Sequence, residues 1–287
     1  MIPLQENTKF LLETQAELML SPLMLPETTE LESVDRDQRI TDDNIEAAQD
    51  LPTYVTNYIG SKQDLTDWIW KHTPEGVKSI LDAFSGSAVV GYMYKQKGLR
   101  VICNDRLKYC FHIARALIEN QKTTLSEDDV KALLARNDKA GDFVRKTFRG
   151  KFFQSGVHGL IDNIRANIDG FSGFKKDIAL FALGKTCISA NASFGHFQSS
   201  QNQGFKNHTN DTPKEFLERF QKNVERINAL VFDNEQDNKA FNKDILEIFE
   251  KVEVDLAYFD PPYATEFSVT NYETSYHFVE GLMTYWE

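Results

Sequence analysis

Asp260-Pro261-Pro262-Tyr263 is the stretch of this chain best suited to chemistry on a planar amine. An ionised Asp260 only accepts hydrogen bonds, so its carboxylate and a proline carbonyl can together take the two hydrogens of an exocyclic NH2. Two consecutive prolines fix φ at about −65° and remove two amide hydrogens, which holds the local carbonyls in place. Tyr263 offers a flat face on which the ring bearing that amine can stack. The apolar run at 254–259 that precedes the motif reads as a buried strand, putting these four residues at a strand's carboxyl end. An ordinary proline-rich turn fits the same four residues taken alone, so the rest of the chain decides.

Elements able to position such a motif recur upstream. Residues 79–84 form a strand pattern, Ser85-Gly86-Ser87-Ala88 a small-residue turn, 89–97 a helix closed by Gly98, and 99–103 a second strand ending at Asn104-Asp105. This order is the first crossover of a nucleotide-binding α/β sheet: Gly86 lets a ligand approach the backbone, and an acid after the second strand can grip ribose hydroxyls. The fuller G-x-G-x-x-G of a phosphate-binding dinucleotide site is absent. Residues 240–243 predict a third strand ending at Asp244, with a short helix at 245–251 before the strand into Asp260. Asp105, Asp244 and Asp260 are therefore expected on one rim of a parallel sheet, where α/β ligands bind. Ahead of these, Gly60-Ser61-Lys62 enters a helical pattern at 64–71, and Lys62 with the local amides is a candidate for a carboxylate; a solvated lysine at a helix start fits as well.

Residues 106–238 read mostly as helices, one of them opening on a capping-box-like Ser126-Glu127-Asp128-Asp129. Arg145, Lys146, Arg149 and Lys151 cluster around Phe148 as candidate phosphate contacts, although a charge run is more often a solvated face. The polar, aromatic segment 191–211 contains Gln198, Gln201 and Asn202, whose amides can read adenine edges; a linker is the competing interpretation.

The net charge of −11 argues against a nucleic-acid partner only until it is divided. Residues 1–50 carry 3 Lys+Arg against 12 Asp+Glu, leaving 29 against 31 for the remainder. An acidic leader thus precedes a nearly neutral body, on which DNA binding needs only a local basic face. No apolar run approaches the roughly 18 residues of a membrane span, and the start lacks a signal peptide's basic region, so a cytoplasmic protein is expected. Cys103, Cys110 and Cys187 lack metal-ligand spacing and read as reduced thiols; no metal is expected.

Taken in order, Tyr58-Ile59-Gly60-Ser61-Lys62, Asp82-Ala83-Phe84-Ser85-Gly86-Ser87, Asn104-Asp105, the helical insertion, Asp244 and Asp260-Pro261-Pro262-Tyr263 resemble the Dam-like alpha group of DNA adenine-N6 methyltransferases. The resemblance covers residues 57–287. It implies a Rossmann-like, S-adenosylmethionine-dependent methyltransferase sheet formed by 51–105 and 239–287, with 106–238 inserted for target recognition on double-stranded DNA. It further implies that Tyr58 and Lys62 surround the methionine end of S-adenosylmethionine and that the turn from Phe84 through Ser85 and Gly86, following Asp82, passes beneath it. Asp105 would bind the ribose and Asp244 would meet the adenine. A flipped target adenine would stack on Tyr263 while its amine donates to Asp260 and the Pro261 carbonyl.

The chain departs from the family at two places. Ala88 replaces a second glycine, and only 24 residues follow Tyr263, where further strands are usual. The second departure predicts either a fragment or a second polypeptide that completes the sheet. A split-enzyme subunit and cytosine-N4 methylation, whose target amine has the same geometry, are the alternatives.

Overall fold

The computed structural model describes Tyr54, Tyr58, residues 60–191, Phe197, and residues 211–262 and 272–286. The acidic leader, Gln198, Gln201, Asn202 and Tyr263 lie outside the described residues.

After a 3-10 turn at Gln63–Leu65 come α1 (Thr66–Lys71), β1 (Ser79–Asp82), α2 (Val89–Gln96) and β2 (Arg100–Asn104). Next are α3 (Lys108–Ala114), which continues as a π-helical stretch Arg115–Glu119, then α4 (Glu127–Leu134), α5 (Phe143–Thr147), α6 (Val157–Ile168), α7 (Gly173–Ala190) and α8 (Pro213–Leu230). The chain returns through β3 (Lys239–Phe241), α9 (Ile245–Phe249) and β4 (Leu256–Tyr258) to α10 (Tyr272–Thr284).

The four strands are parallel, in the order β3-β2-β1-β4. Alternation along the strands divides the interior between the two faces. Ile80, Val101 and Cys103 join the main core with α2 and the helical insertion, whereas Leu81 and Ile102 face a smaller core with Ile245 and Val254. β4 is a sheet edge among the described residues, and Phe249 and Phe259 beside it are exposed. At the end of the sheet remote from the motif, Asp255 accepts hydrogen bonds from the amides of Lys78 and Ser79 and from Ser79 Oγ, at 2.9, 2.9 and 2.8 Å. Ser79 Oγ in turn accepts from the Asp255 amide at 3.0 Å, which fixes β4 on β1.

The insertion is built around α7, which is buried along most of its length because its sequence is apolar on every side. Two capping boxes start neighbouring helices: Ser126 with Asp129 opens α4, and Thr212 with Glu215 opens α8, where Pro213 occupies a position whose N–H has no helical partner. Gly184 lets α3 approach α7 closely. A Cβ there would enter the ring edge of Tyr109 and come within 2.9 Å of Val279 on α10. Overpacking of this kind costs about 1–3 kcal/mol, more than the ~1 kcal/mol that alanine gains in helix propensity. Gly184→Ala should therefore lower the urea midpoint of unfolding; an unchanged or raised midpoint would show that Tyr109 moves aside freely.

Candidate active site

The carboxyl ends of β1, β2, β3 and β4 open onto a cavity of about 460 Å³, within the range of small-molecule sites. Every proposed cofactor residue lines it: Tyr58, Lys62, Asp82, Phe84, Ser85, Gly86, Asp105 and Asp244. Asp260, Pro261 and Pro262 form part of the same wall. The three rim acids expected from the strand ends thus converge. Ser87, Asn104, Leu107, Ile245 and Tyr258 also line it.

The turn after β1 is shaped by two left-handed residues. Gly86 has φ +49°, and a Cβ on it would lie 2.9 Å from the Tyr58 ring. That ring is stacked on Tyr276 of α10 at 4.7 Å, so it cannot yield easily. Ala88, the residue standing where the resemblance leads one to expect glycine, has φ +59° and caps α2. Glycine occupies this region without strain, whereas alanine costs roughly 1 kcal/mol or more.

Asp105 accepts the Gly86 amide at 2.8 Å on one oxygen and the Leu107 amide at 2.9 Å on the other. A carboxylate has about four acceptor positions, which leaves capacity for ligand hydroxyls. Burial pushes its pKa up to about 6 against these amide bonds, which lower it, with the charge of Glu280 adding to the rise. Asp82 is 1% exposed and accepts the Gly91 amide at 3.1 Å. Burial raises it to about 7, opposed by the Gly91 bond and assisted by the charges of Asp105 and Asp260. Asp244 caps α9 by accepting the Leu246 amide at 3.1 Å.

Lys62 reaches across the cavity mouth. Its ammonium pairs with Asp260 Oδ2 and donates to the Gly60 carbonyl at 3.0 Å. A ligand carboxylate arriving at Lys62 thus meets a cation already shared with the motif.

Two further residues hold the rim in place. The Asn104 amide donates to the carbonyls of Ala83 and Lys243 at 3.3 and 3.2 Å, tying the ends of β1 and β3 together around β2. Glu280 accepts the Lys108 and Tyr109 amides at 2.8 and 3.1 Å and so caps α3 from α10. Asn104 neighbours a flagged acid and could have been found there; Glu280 acts across more than 170 residues of sequence and could not.

Arg145, Lys146, Arg149 and Lys151 do not reach this cavity. All four are exposed, three of them around a separate hollow with His158. Arg145 and Lys146 pair with Asp142 at 3.1 and 3.0 Å, which reduces the positive charge they offer a partner.

S-adenosylmethionine fits the donor set. Ser85 Oγ is buried with no hydrogen-bond partner among the described residues, and Asp105 retains acceptor capacity. No group of His, Cys, Asp and Glu among the described residues is arranged to hold a metal ion, and none of their helices is long and apolar enough to cross a membrane.

A parallel α/β sheet with a nucleoside-sized cavity and Asp-Pro-Pro at its rim defines a Rossmann-like methyltransferase. Residues 58–284 match the D12 class N6 adenine-specific DNA methyltransferases, and the chain belongs to that family. It is similar to the type II methyltransferase M2.HphI of Haemophilus parahaemolyticus, at 29% identity over 242 residues covering 79% of this chain and 70% of that protein. Modification methylase StsI of Streptococcus sanguinis is 26% identical over 249 residues, 78% of this chain and 36% of its own length. Type II methyltransferase M.CviAII of Paramecium bursaria Chlorella virus 1 is 27% identical over 237 residues, 75% of this chain and 66% of its own. The activity is methylation of adenine N6 in DNA with S-adenosylmethionine as methyl donor. These matches give no support to a second polypeptide, to a non-catalytic subunit or to a cytosine target.

Proposed function

We propose that the cavity at the strand ends holds S-adenosylmethionine and that Asp260 and the Pro261 carbonyl receive the amine of a flipped adenine. The observation that carries this reading is the convergence of Ser85, Gly86, Asp105, Asp244 and Asp260-Pro261-Pro262 on one cavity. Asp105 accepts from ribose hydroxyls, Gly86 gives the ligand access to the backbone, and Asp244 lies where an adenine amine can be met. Lys62 binds the carboxylate end and Tyr58 walls it. When bound, S-adenosylmethionine supplies an electrophilic methyl group carried on a sulfonium. Asp260 and Pro261 accept the two amine hydrogens, which raises electron density on the nitrogen and orients its lone pair into the cavity. Tyr263 stacks on the target base, and double-stranded DNA is held by the helical insertion at 106–238, with Arg149 and Lys151 on phosphates and Gln198, Gln201 and Asn202 on base edges.

The names of its relatives, type II methyltransferase and modification methylase, support a place in a restriction-modification system, acting in the cytoplasm where its DNA is. The test is incubation of the purified chain with methyl-labelled cofactor and duplex DNA, followed by nucleoside analysis. Label is expected in N6-methyladenine; label confined to N4-methylcytosine would overturn the assignment of the target.

A further inference from the structure

Lys62 is held from two sides. The first is its own turn, in which the Ser61 amide donates to the Tyr58 carbonyl at 3.1 Å and the Leu65 amide to the Lys62 carbonyl at 2.9 Å. Lys62 Nζ donates to the Gly60 carbonyl at 3.0 Å, so this long side chain folds back over the turn instead of extending into solvent. The second side is the motif, where the same ammonium pairs with Asp260 Oδ2. The two side chains are 22% and 16% exposed, and a partly buried pair is screened by salt less than a surface one. Of the two cations that line the cofactor cavity, Lys62 and Arg106, it is Lys62 that pairs with the motif.

The freedom left to Asp260 lies in its side chain. Pro261 restricts the backbone of the residue before it, whereas the terminal torsion of an aspartate is broad and lets the two oxygens turn. A cation fixed on Oδ2 sets the plane of the carboxylate and so decides where Oδ1 lies. We propose that Lys62 is a positioning residue for methyl transfer, holding Oδ2 of Asp260 so that Oδ1 is presented to the target amine. This rests on the reading of Asp260 as the acceptor of that amine, and it gives Lys62 a part in the chemical step in addition to cofactor binding.

A cation beside an acceptor also weakens its pull on a nitrogen that is gaining positive charge. That opposing effect is limited here because Lys62 serves two anions. One ammonium between Asp260 and a ligand carboxylate leaves the trio with a net negative charge, so Asp260 keeps its strength as an acceptor while its orientation is fixed.

The test is a double-mutant cycle on single-turnover methyl transfer at saturating cofactor and duplex, using the wild type, Lys62→Met, Asp260→Asn and the double variant. Calorimetry gives the cofactor affinity of each. Methionine keeps an unbranched side chain without the charge. Lys62→Met is expected to lower the rate about 10-fold even at saturating cofactor, since misplacing a reacting group acts on turnover. In the Asp260→Asn background the same substitution is expected to change the rate by no more than about twofold, because the group it positions is already altered. Lys62→Arg, which keeps a cation, is expected to recover most of the loss. A Lys62→Met rate that saturating cofactor restores to the wild-type value overturns the proposal and leaves Lys62 as a cofactor ligand. So does a 10-fold loss repeated in the Asp260→Asn background, which would show that Lys62 acts independently of Asp260. A wild-type rate in Asp260→Asn itself overturns the reading of Asp260 together with the proposal.

Discussion

Asp260→Asn should lower the rate of methyl transfer by about 10²–10³, while changing cofactor affinity by no more than about threefold. Asparagine has the shape of aspartate, but it offers one neutral acceptor and adds an NH2 donor, which opposes an incoming amine. The interaction lost is strongest when positive charge develops on the nitrogen, so the loss falls on turnover more than on binding. Ion pairing to Lys62 is lost as well, yet Lys62 keeps its bond to the Gly60 carbonyl and stays at the cavity mouth. Single-turnover rates on adenine-containing duplex, with calorimetry of the cofactor, separate the two effects. Wild-type turnover in the variant would remove the carboxylate from the chemistry.

Asp105→Ala should weaken cofactor binding by about 1.5–3 kcal/mol, or about 10- to 150-fold, because charge-assisted bonds to ribose hydroxyls are lost. Part of that loss belongs to the turn, since the same carboxylate holds the Gly86 and Leu107 amides. Asp105→Asn keeps one acceptor and should lose less.

The wild type should reveal the same group through pH. With the Asp105 pKa raised from 3.8 to about 6, the carboxylate is protonated in the folded state below about pH 6. Cofactor affinity should therefore fall as pH drops through this value. Folding stability runs the other way: between the two pKa values the folded chain keeps a proton that the unfolded chain has released. The ligand-free protein thus loses stability as pH rises through about 6. Asp82, at about 7, extends the window upward. Melting temperature and calorimetric affinity measured from about pH 5 to 8 should move in opposite directions; parallel trends would exclude these two acids as the source.

Much of this site could be read from the order of residues. Strand patterns before Ser85 and Asp105 were legible because parallel strands buried on both faces are short continuous apolar runs, and their ends fixed where the acids would gather. The Asp244 and Asp260 positions followed from the same rule. The strand order was not legible, since the return from α8 to β3 beside β2 has no local signal. Nor was the Lys62–Asp260 pair, which joins two segments almost 200 residues apart in the sequence. Ala88 stands where the family usually has glycine, but only its left-handed φ shows why glycine suits that place.

The clamp between Asp255 and Ser79 also bears on how the chain reaches this structure. β1 and β2 pair after a crossover of about twenty residues, whereas β4 must find β1 across a sequence separation of 176. Loop-closure entropy grows with that separation, and topologies rich in distant contacts fold slowly. Three-residue β4 has little pairing of its own, so the network at Asp255 supplies much of what rewards its docking. The turn at Gly86 and the Asp105 rim can therefore form early, while the Asp-Pro-Pro wall arrives last. Replacing Asp255 should thus act mainly on the late step in refolding, delaying assembly of the motif on a sheet whose first crossover is already in place.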